Sequence, residues 1–217
     1  AVAMLGAAIA KVRAVQEKKR DEMCARAGSV AIMRRVVAKG TTYANMYNGI
    51  WGTVTQESNM PAYATRAAAF QAKVTARGIS YLQAKGNLAE LYAEAVAVRP
   101  AARKAMEALN GLTTARLEPM GPLKRMSRAS EKLVLEPDGE YSAVRILDIV
   151  RDMFVASTMD EVAALIDLIE ASADIEVVRF KDRVAWPSSG WRDAMINYRV
   201  KGSTHVCEVQ IVHNKMK

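Results

Sequence analysis

The chain has few of the residues from which zinc centres are built. Its 217 residues include only two cysteines and two histidines. Cys24 and Cys207 are distant in sequence and no Cys-x-x-Cys pair is present, so a zinc site of that type is not expected. Cysteine usage this low indicates an intracellular, reducing compartment.

Long apolar runs are also absent. None approaches the roughly 20 residues that span a bilayer, so we expect a soluble or peripheral protein without a transmembrane segment. The chain has neither a Walker phosphate-binding loop nor a glycine-rich dinucleotide motif, which excludes the common nucleotide-binding fingerprints.

Both ends of the chain suggest an incomplete protein. The first residue is Ala1 rather than an initiator methionine. This is compatible with removal of a mitochondrial or plastid targeting peptide, or with a fragment. The chain stops at Lys217, one turn into what would be the next helix, so we expect a truncated C-terminus.

Positive charge is concentrated in the first half. The net charge is +8, and residues 1–120 carry 17 basic against 8 acidic side chains, whereas residues 121–217 carry 14 against 15. A basic half predicts an acidic partner such as nucleic acid, an anionic membrane surface or an acidic protein, with solubility alone as the alternative. RNA or ribosome binding would use this half, but no recognisable motif supports it.

Helical periodicity dominates the first half and predicts four helices, over residues 2–39, 43–54, 62–75 and 79–109. Gly40 is expected to end the first helix, and Pro100 to kink or divide the fourth. The Pro- and Gly-containing segment 117–122 is the expected domain boundary. We therefore predict a basic helical region over residues 1–118 and a second domain over residues 119–217.

The second half has a different pattern, with a helix over residues 122–135, a strand over 149–156, a helix over 159–172 and three further strands. In those three strands polar and apolar residues alternate with a period of two. One face carries Arg179, Lys181, Asp193, Asn197, Glu208 and Gln210. The other carries Val178, Phe180, Ala194, Ile196, Tyr198, Cys207, Val209 and Ile211.

A meander of these strands would pack its apolar face against the helix over 159–172, on the side of Ile196 and Val209. The opposite face would collect cations and a carboxylate, which suits a phosphorylated ligand with metal or base chemistry. The alternative is a solvated sheet face, where mixed charges are ordinary.

Three cations precede the strands at a spacing of four. Lys124, Arg128 and Lys132 are expected along one face of a helix, where they suit a triphosphate, with a solvated helix face as the alternative. Asp148 stands at the start of the next strand. A carboxylate there can share a magnesium ion with phosphate oxygens.

Several stretches of the second half match one family in the same order. They are Gly121–Lys132, Leu147–Arg151, Lys181–Arg183, Pro187–Asp193, Asn197 and Cys207–Ile211. They resemble the synthetase domain of the RelA/SpoT-like (p)ppGpp synthetases, and more closely RelA/SpoT-like proteins of microbial eukaryotes, over about residues 119–217. The resemblance implies an α+β fold in which an all-helical N-terminal half precedes a nucleotidyltransferase-like domain, whose small mixed or antiparallel sheet is flanked by helices.

The resemblance also implies a reaction, the magnesium-dependent transfer of pyrophosphate from ATP to the 3′-oxygen of GTP or GDP. Asp148 and Glu208 would be the catalytic residues and the Mg²⁺ ligands, and Glu208 would also take the proton from the attacking hydroxyl. Trp191 stands where the family has a Tyr that stacks on guanine, although it could instead pack on its own loop with Trp186. The implied nucleotide-binding residues are Lys124, Arg128, Lys132, Arg151, Arg179, Lys181, Trp191, Asn197 and Gln210.

Three positions depart from the family pattern. Arg151 and Met153 occupy the Gly and Arg positions of an Asp-x-x-Gly-x-Arg motif, and Met195 stands in place of a His. These departures support a second hypothesis, a catalytically inactive accessory or structural subunit of a large organellar or cytoskeletal assembly. Such a subunit would retain the fold and bind protein partners through its N-terminal helices. Whether the chain is an enzyme stays open between the two hypotheses.

Overall fold

The computed structural model describes residues 30–135 and 142–217 and has the α+β fold that was predicted. The helices are α1 (Val30–Glu57), α2 (Met60–Ala76), α3 (Leu88–Asn110), α4 (Met126–Leu135) and α5 (Met159–Ala171). The strands are β1 (Arg116–Leu117), β2 (Arg151–Ala156), β3 (Ile175–Asp182), β4 (Ala194–Val200) and β5 (Val206–His213). Short 3₁₀ turns cover Ala143–Arg145 and Asn214–Met216. The chain divides into two units within α1, the first ending at Met46 and the second comprising Tyr47–Lys217.

The five strands form one mixed sheet in the order β1-β2-β5-β4-β3. β3, β4 and β5 pair antiparallel in sequence order, which confirms the predicted meander. β2 joins the sheet parallel to β5, and β1 pairs antiparallel with β2. The sheet therefore brings β2, which begins three residues after Asp148, directly beside the strand that carries Glu208.

Helix α5 packs on the apolar face of the sheet, as predicted. Its buried residues Val162, Leu165, Ile166 and Ile169 recur at helical spacing, so they form one apolar stripe. Thr158 caps the helix by accepting a hydrogen bond from the backbone N–H of Glu161. The stripe belongs to the same apolar cluster as the inward-facing residues of the sheet, Phe154, Phe180, Ala194, Ile196, Tyr198, Cys207, Val209 and Ile211.

Helices α2 and α3 contribute to that same cluster. α2 buries Tyr63, Ala67, Phe70 and Val74 along one face, and the Phe70 and Phe180 rings meet edge to face with centroids 5.0 Å apart. α3 buries Leu91, Ala95, Val98, Ala102, Ala105, Met106 and Leu109. One core thus joins α2, α3 and α5 to the sheet, and it leaves the opposite face of the sheet for other contacts.

The predicted break at Gly40 is wrong, and of the two outcomes predicted for Pro100, a kink or a division of the helix, the division does not occur. The helix α1 continues through Gly40, where a break was expected, because one glycine costs a helix only about 1 kcal/mol. Residues 2–29 of the first predicted helix lie outside the described residues. Pro100 does not divide α3. The carbonyl of Val96, which loses its helical partner there, belongs to an exposed residue, so water can satisfy it.

Two helices begin later than predicted. α4 starts at Met126 and not at residue 122. The fourth predicted helix starts at Leu88 and not at residue 79, because Gly78 adopts a φ of +60° at the end of α2 and Asn87 caps the new helix. The Asn87 side chain accepts hydrogen bonds from the backbone N–H groups of Ala89 and Glu90.

The predicted face of Val178 is also wrong. The β3–β4 pairing shifts between Val177 and Arg179, so that the strand carries a β-bulge. Val177 therefore joins the apolar cluster in the place expected for Val178. Val178 turns to the other face, where it packs with Leu147 and Val206.

The Gln83 side chain is one of the links between residues 79–87 and the sheet. Gln83 is 3% exposed, and its amide Nε2 donates to the carbonyls of Ile146 and Val206, each at 2.9 Å. Its Oε1 accepts from the backbone N–H of Val206 at 2.8 Å. The side chain thus replaces the backbone partners that a longer neighbouring strand would supply.

Replacing Gln83 by Ala should lower the free energy of unfolding. The change leaves buried backbone groups of Ile146 and Val206 unpaired, at a cost of about 1–3 kcal/mol. Urea unfolding would measure it, with Gln71→Ala on the exposed face of α2 as the control, expected within about 0.5 kcal/mol of the parent. Equal free energies of unfolding for the two variants would contradict this role of Gln83.

Candidate active site

Two rows of side chains cross the sheet face opposite the apolar cluster. Strand pairing places residues from β3, β4, β5 and β2 side by side in each row. The first row consists of Arg179, Asn197, Glu208 and Arg151, and the second of Lys181, Met195, Gln210 and Met153. In the antiparallel pairs β3–β4 and β4–β5, directly opposed residues have Cβ atoms about 4.5–5.5 Å apart. The sheet therefore places predicted site residues from four strands close to Glu208.

Glu208 lies at the centre of this face and is only 7% exposed. Burial raises the pKa of its carboxyl group, and the nearby charge of Asp148 raises it further. The Nε2 of Gln210 donates a hydrogen bond to Glu208 Oε1 at 2.8 Å, and this bond and the charge of Arg183 oppose the rise. The centre of the face is thus not the solvated surface of the alternative interpretation, although it lies outside the apolar core.

Asp148 is held by two lysines. Lys124 Nζ lies 2.5 Å from Asp148 Oδ2, and Lys132 Nζ lies 3.5 Å from Oδ1. Burial alone would raise the pKa of Asp148, but the hydrogen bond from Lys124 and the charges of both lysines outweigh it and lower the pKa. Asp148 is therefore an ionised carboxylate near neutral pH, in electrostatic contact with Glu208.

The lysines reach Asp148 from different local structures, so the predicted helical stripe is wrong in part. Lys124 precedes α4 and is fixed by its backbone, which donates to the Ile149 carbonyl at 3.1 Å. Lys132 lies on α4. Arg128 lies on α4 as well, but it is exposed and forms an ion pair with Glu131.

Further cations converge on Lys181. Burial lowers the pKa of its ammonium group, and the charges of Arg179, Arg183 and Lys132 lower it further. The Arg179 guanidinium lies 4.4 Å from the ring centroid of Tyr81, in a cation–π contact. Crowded cations repel one another, so an anion bound among them would be strongly favoured.

The residues present fit a magnesium ion that is also bound by a phosphorylated ligand. Asp148 and Glu208 supply two carboxylates that interact electrostatically, and the buried Asp148 Oδ1 has only the ion pair with Lys132 at 3.5 Å. Within residues 30–135 and 142–217, no group of three or more His, Cys, Asp or Glu side chains could hold a metal. Magnesium needs only one or two carboxylates when phosphate and water oxygens complete its shell.

Trp191 lies just before β4, at one end of this face. Its Nε1 donates to Asp193 Oδ2 at 3.0 Å, and the Tyr47 ring meets it edge-on, with centroids 5.5 Å apart. Trp186 is 82% exposed, so it does not pack against Trp191 as the alternative interpretation suggested. One edge of the Trp191 indole is thus fixed by Asp193.

The other predicted site residues differ in how far they are exposed to solvent. Asn197 is fully buried, its Nδ2 donates to the Cys207 carbonyl at 3.4 Å, and its Oδ1 has no hydrogen-bond partner. Arg151 is exposed at the start of β2. Met153 and Met195 flank Gln210 in the second row, so this row has apolar side chains where the family pattern has Arg and His.

Sequence reasoning missed two residues of this face. Arg183 follows Arg179 and Lys181 with the same period of two, and that period was the signal that could have identified it. Tyr81 gave no such signal, because residues 79–87 were predicted as part of a helix. Asp193 was predicted on the polar face. Its hydrogen bond from Trp191 Nε1 could not be predicted from the alternation of polar and apolar residues.

Among the described residues, no helix is long and apolar enough to cross a membrane. No protein-family model matches the chain, and no curated protein matches it.

Its structural neighbours are small alarmone synthetases and GTP pyrophosphokinase family proteins. The Type VI effector Tas1, solved with its immunity protein, is 20% identical with a TM-score of 0.46, and the match covers 60% of this chain and 63% of that one. Small alarmone synthetase 1 from Bacillus subtilis, bound to its product pppGpp, is 19% identical with a TM-score of 0.42, over 54% of this chain and 71% of that one. A GTP pyrophosphokinase family protein from Streptococcus pneumoniae is 17% identical with a TM-score of 0.41, over 56% and 65%.

Neutralising the two central carboxylates should have opposite effects on stability. The raised pKa of Glu208 means that its contribution to stability is present below the unfolded pKa and lost as pH rises through the folded pKa. The lowered pKa of Asp148 means that its contribution is present above the unfolded pKa and lost as pH falls through the folded pKa. At about pH 8, Glu208→Gln should therefore stabilise the fold, and Asp148→Asn should destabilise it by about 1–3 kcal/mol.

Urea unfolding at about pH 8 and about pH 4 would measure both effects. The difference between each variant and the parent should shrink at the lower pH. Destabilisation by Glu208→Gln at the higher pH would contradict this account of the site.

Proposed function

We propose that this face binds nucleoside triphosphate together with Mg²⁺, and that the chain transfers pyrophosphate from ATP to the 3′-oxygen of GTP or GDP. The observation that carries the proposal is the buried Glu208 carboxyl, which Gln210 holds by a hydrogen bond and on which the charges of Asp148 and Arg183 act. Lys132 contacts Asp148, and Lys181 lies in the neighbouring row of the same face. Two adjacent carboxylates within a cluster of cations suit a polyphosphate and its metal better than a purely structural ion pair.

The cations have separate tasks in this proposal. Lys124 and Lys132 bind the phosphates of the ATP donor, because both already meet at Asp148, beside the expected metal position. Arg179 and Lys181 bind phosphate from the strand side, and Tyr81 holds the Arg179 guanidinium by its ring face. Reactions of this kind depend mainly on positioning and charge neutralisation, which such a cluster supplies.

Asp148 and Glu208 would hold the magnesium ion. When bound, the ion would neutralise charge on the phosphate oxygens. Glu208 would accept the proton from the attacking hydroxyl, since a raised pKa brings a carboxylate closer to the pH at which a general base is most effective. Gln210 fixes one oxygen of this carboxyl group and so orients the other.

Trp191 would supply the stacking surface for the acceptor base. Its indole is fixed at one edge by Asp193, so a base could stack without first ordering this side chain. Arg151 stands beside Glu208 in the first row and would contact the nucleotide from β2. Asn197 flanks Glu208 on the β4 side but is fully buried, so it would support the strand beneath the nucleotide and not contact it. Arg128 would act only at the solvent-exposed margin of the site.

The second candidate function is a fold-retaining subunit without turnover. It is favoured by Met153 and Met195, which place thioethers where the family pattern has a cationic and an imidazole side chain. In this case the alanine-rich N-terminal helices would bind a protein partner. The two candidates differ in whether the wild-type chain makes guanosine tetra- or pentaphosphate.

An assay with ATP, GTP or GDP and Mg²⁺ would distinguish the candidates. If the chain is an enzyme, Glu208→Gln should lower turnover about 100-fold or more, because it removes a positioned base. The matched control is Asp167→Asn on the exposed surface of α5, which should leave turnover unchanged. Absence of product from a wild-type chain that binds both nucleotides would support the subunit without turnover.

Replacing Trp191 by Ala should weaken nucleotide binding by about 1–3 kcal/mol, the cost of losing one base–aromatic stack. In the parent chain, tryptophan fluorescence should change on adding GTP or ATP with Mg²⁺. Trp186→Ala removes an exposed indole from the same loop and serves as the control. Unchanged affinity in Trp191→Ala would remove Trp191 from the site.

A further inference from the structure

A buried ion pair joins the end of β3 to the start of β4. Arg183 Nε donates to Asp193 Oδ1 at 2.5 Å, and a terminal nitrogen of the same guanidinium donates to Oδ2 at 2.6 Å. Trp191 Nε1 donates to the same Oδ2 at 3.0 Å. The Asp193 side chain is fully buried. One carboxylate thus fixes both a guanidinium and an indole.

Other hydrogen bonds also hold the loop between these strands. Asp182 Oδ1 accepts hydrogen bonds from the backbone N–H groups of Val184 and Ala185, both at 3.0 Å. Arg183 and Asp193 are also joined through their backbones at 3.0 Å, and Ser188 bridges Trp191. The side-chain pair is therefore not the sole link across this loop, and its burial carries a desolvation cost.

Arg183 keeps binding capacity after it has bound Asp193. A guanidinium has five N–H donors, of which Asp193 occupies two. The Arg183 side chain is 23% exposed. It lies in the turn directly after β3, two residues beyond Lys181, and its charge acts on both Lys181 and Glu208. It can therefore hold Asp193 and a phosphate group at the same time.

We propose that Arg183 binds phosphate in this site and that Asp193 is the positioning residue that fixes the Arg183 guanidinium relative to the Trp191 indole. One carboxylate then sets the separation between the subsite for phosphate and the subsite for the base. This rests on the proposed nucleotide binding and deepens it, because it assigns the acceptor nucleotide two coupled contacts. The chemistry recognised is a nucleobase joined to a di- or triphosphate.

The test compares GTP with inorganic tripolyphosphate, each with Mg²⁺, by isothermal titration calorimetry. Arg183→Gln should weaken both ligands by a similar factor, roughly tenfold or more, because each loses a charge-assisted hydrogen bond. Trp191→Leu should weaken GTP and leave tripolyphosphate unchanged. Asp193→Asn should weaken both ligands, because it releases the guanidinium and the indole together.

Two further variants keep the result interpretable. Arg183→Lys retains the charge and one bond to Asp193, so the chain should fold and lose affinity for both ligands by a smaller factor. Arg66→Gln, on α2 beside Asp167, changes an arginine outside the site and should alter neither affinity.

The outcomes separate this inference from the proposed function. If the parent binds GTP and tripolyphosphate, and folded Arg183→Gln and Arg183→Lys bind both equally well, the pair is only structural and the inference is overturned. If the parent binds neither ligand, the proposed function fails and the inference fails with it. If Asp193→Asn weakens only tripolyphosphate, the coupling of the two subsites is wrong.

Discussion

The register of β4 against β5 is the constraint on which the rest of the structure depends. It pairs Ile196 with Val209 on one face and Asn197 with Glu208 on the other. A slip of one residue would place Glu208 in the apolar core and move Val209 to the charged face. The packing of α2, α3 and α5 on the apolar face therefore fixes, at the same time, which side chains face the candidate site.

The electrostatics of the candidate site are set by two carboxylates and the cations around them. Two carboxylates, Asp148 and Glu208, lie within a group of lysine and arginine side chains, and their pKa values shift in opposite directions. Lys124 and Lys132 lie close to Asp148 and keep it ionised. Burial and the negative charge of Asp148 both raise the pKa of Glu208. Opposite shifts of two acids on one face are found at sites that bind cations or transfer protons, and structural ion-pair networks also produce such shifts.

The predictable parts of this protein are those encoded by local periodicity. Alternation in β3, β4 and β5 identified the meander and the polar face, and helical spacing identified α5. The bulge at Val178 and the non-helical residues 79–87 could not be predicted, because their conformations depend on contacts made across the sheet by Val206 and Gln83.

Contacts between residues that are distant in the sequence could not be predicted either. Lys124 and Asp148 are 24 residues apart and belong to different elements, so their contact needs the fold. The Arg183–Asp193 pair likewise needs the geometry of a closed loop across ten residues. The likeness of short motifs to one family identified Asp148 and Glu208 as candidates, but it could not show that burial raises the pKa of both and that Lys124 and Lys132 reverse this only at Asp148.

The most direct measurement of the central claim is a crystal structure with Mn²⁺ and a non-hydrolysable ATP analogue, in which anomalous scattering locates the metal. The account predicts a manganese peak between Asp148 and Glu208, within about 2.0–2.6 Å of carboxylate oxygens, with the triphosphate reaching Lys124 and Lys132. A triphosphate and its metal bound away from this face, with Asp148 and Glu208 contacting neither, would contradict it.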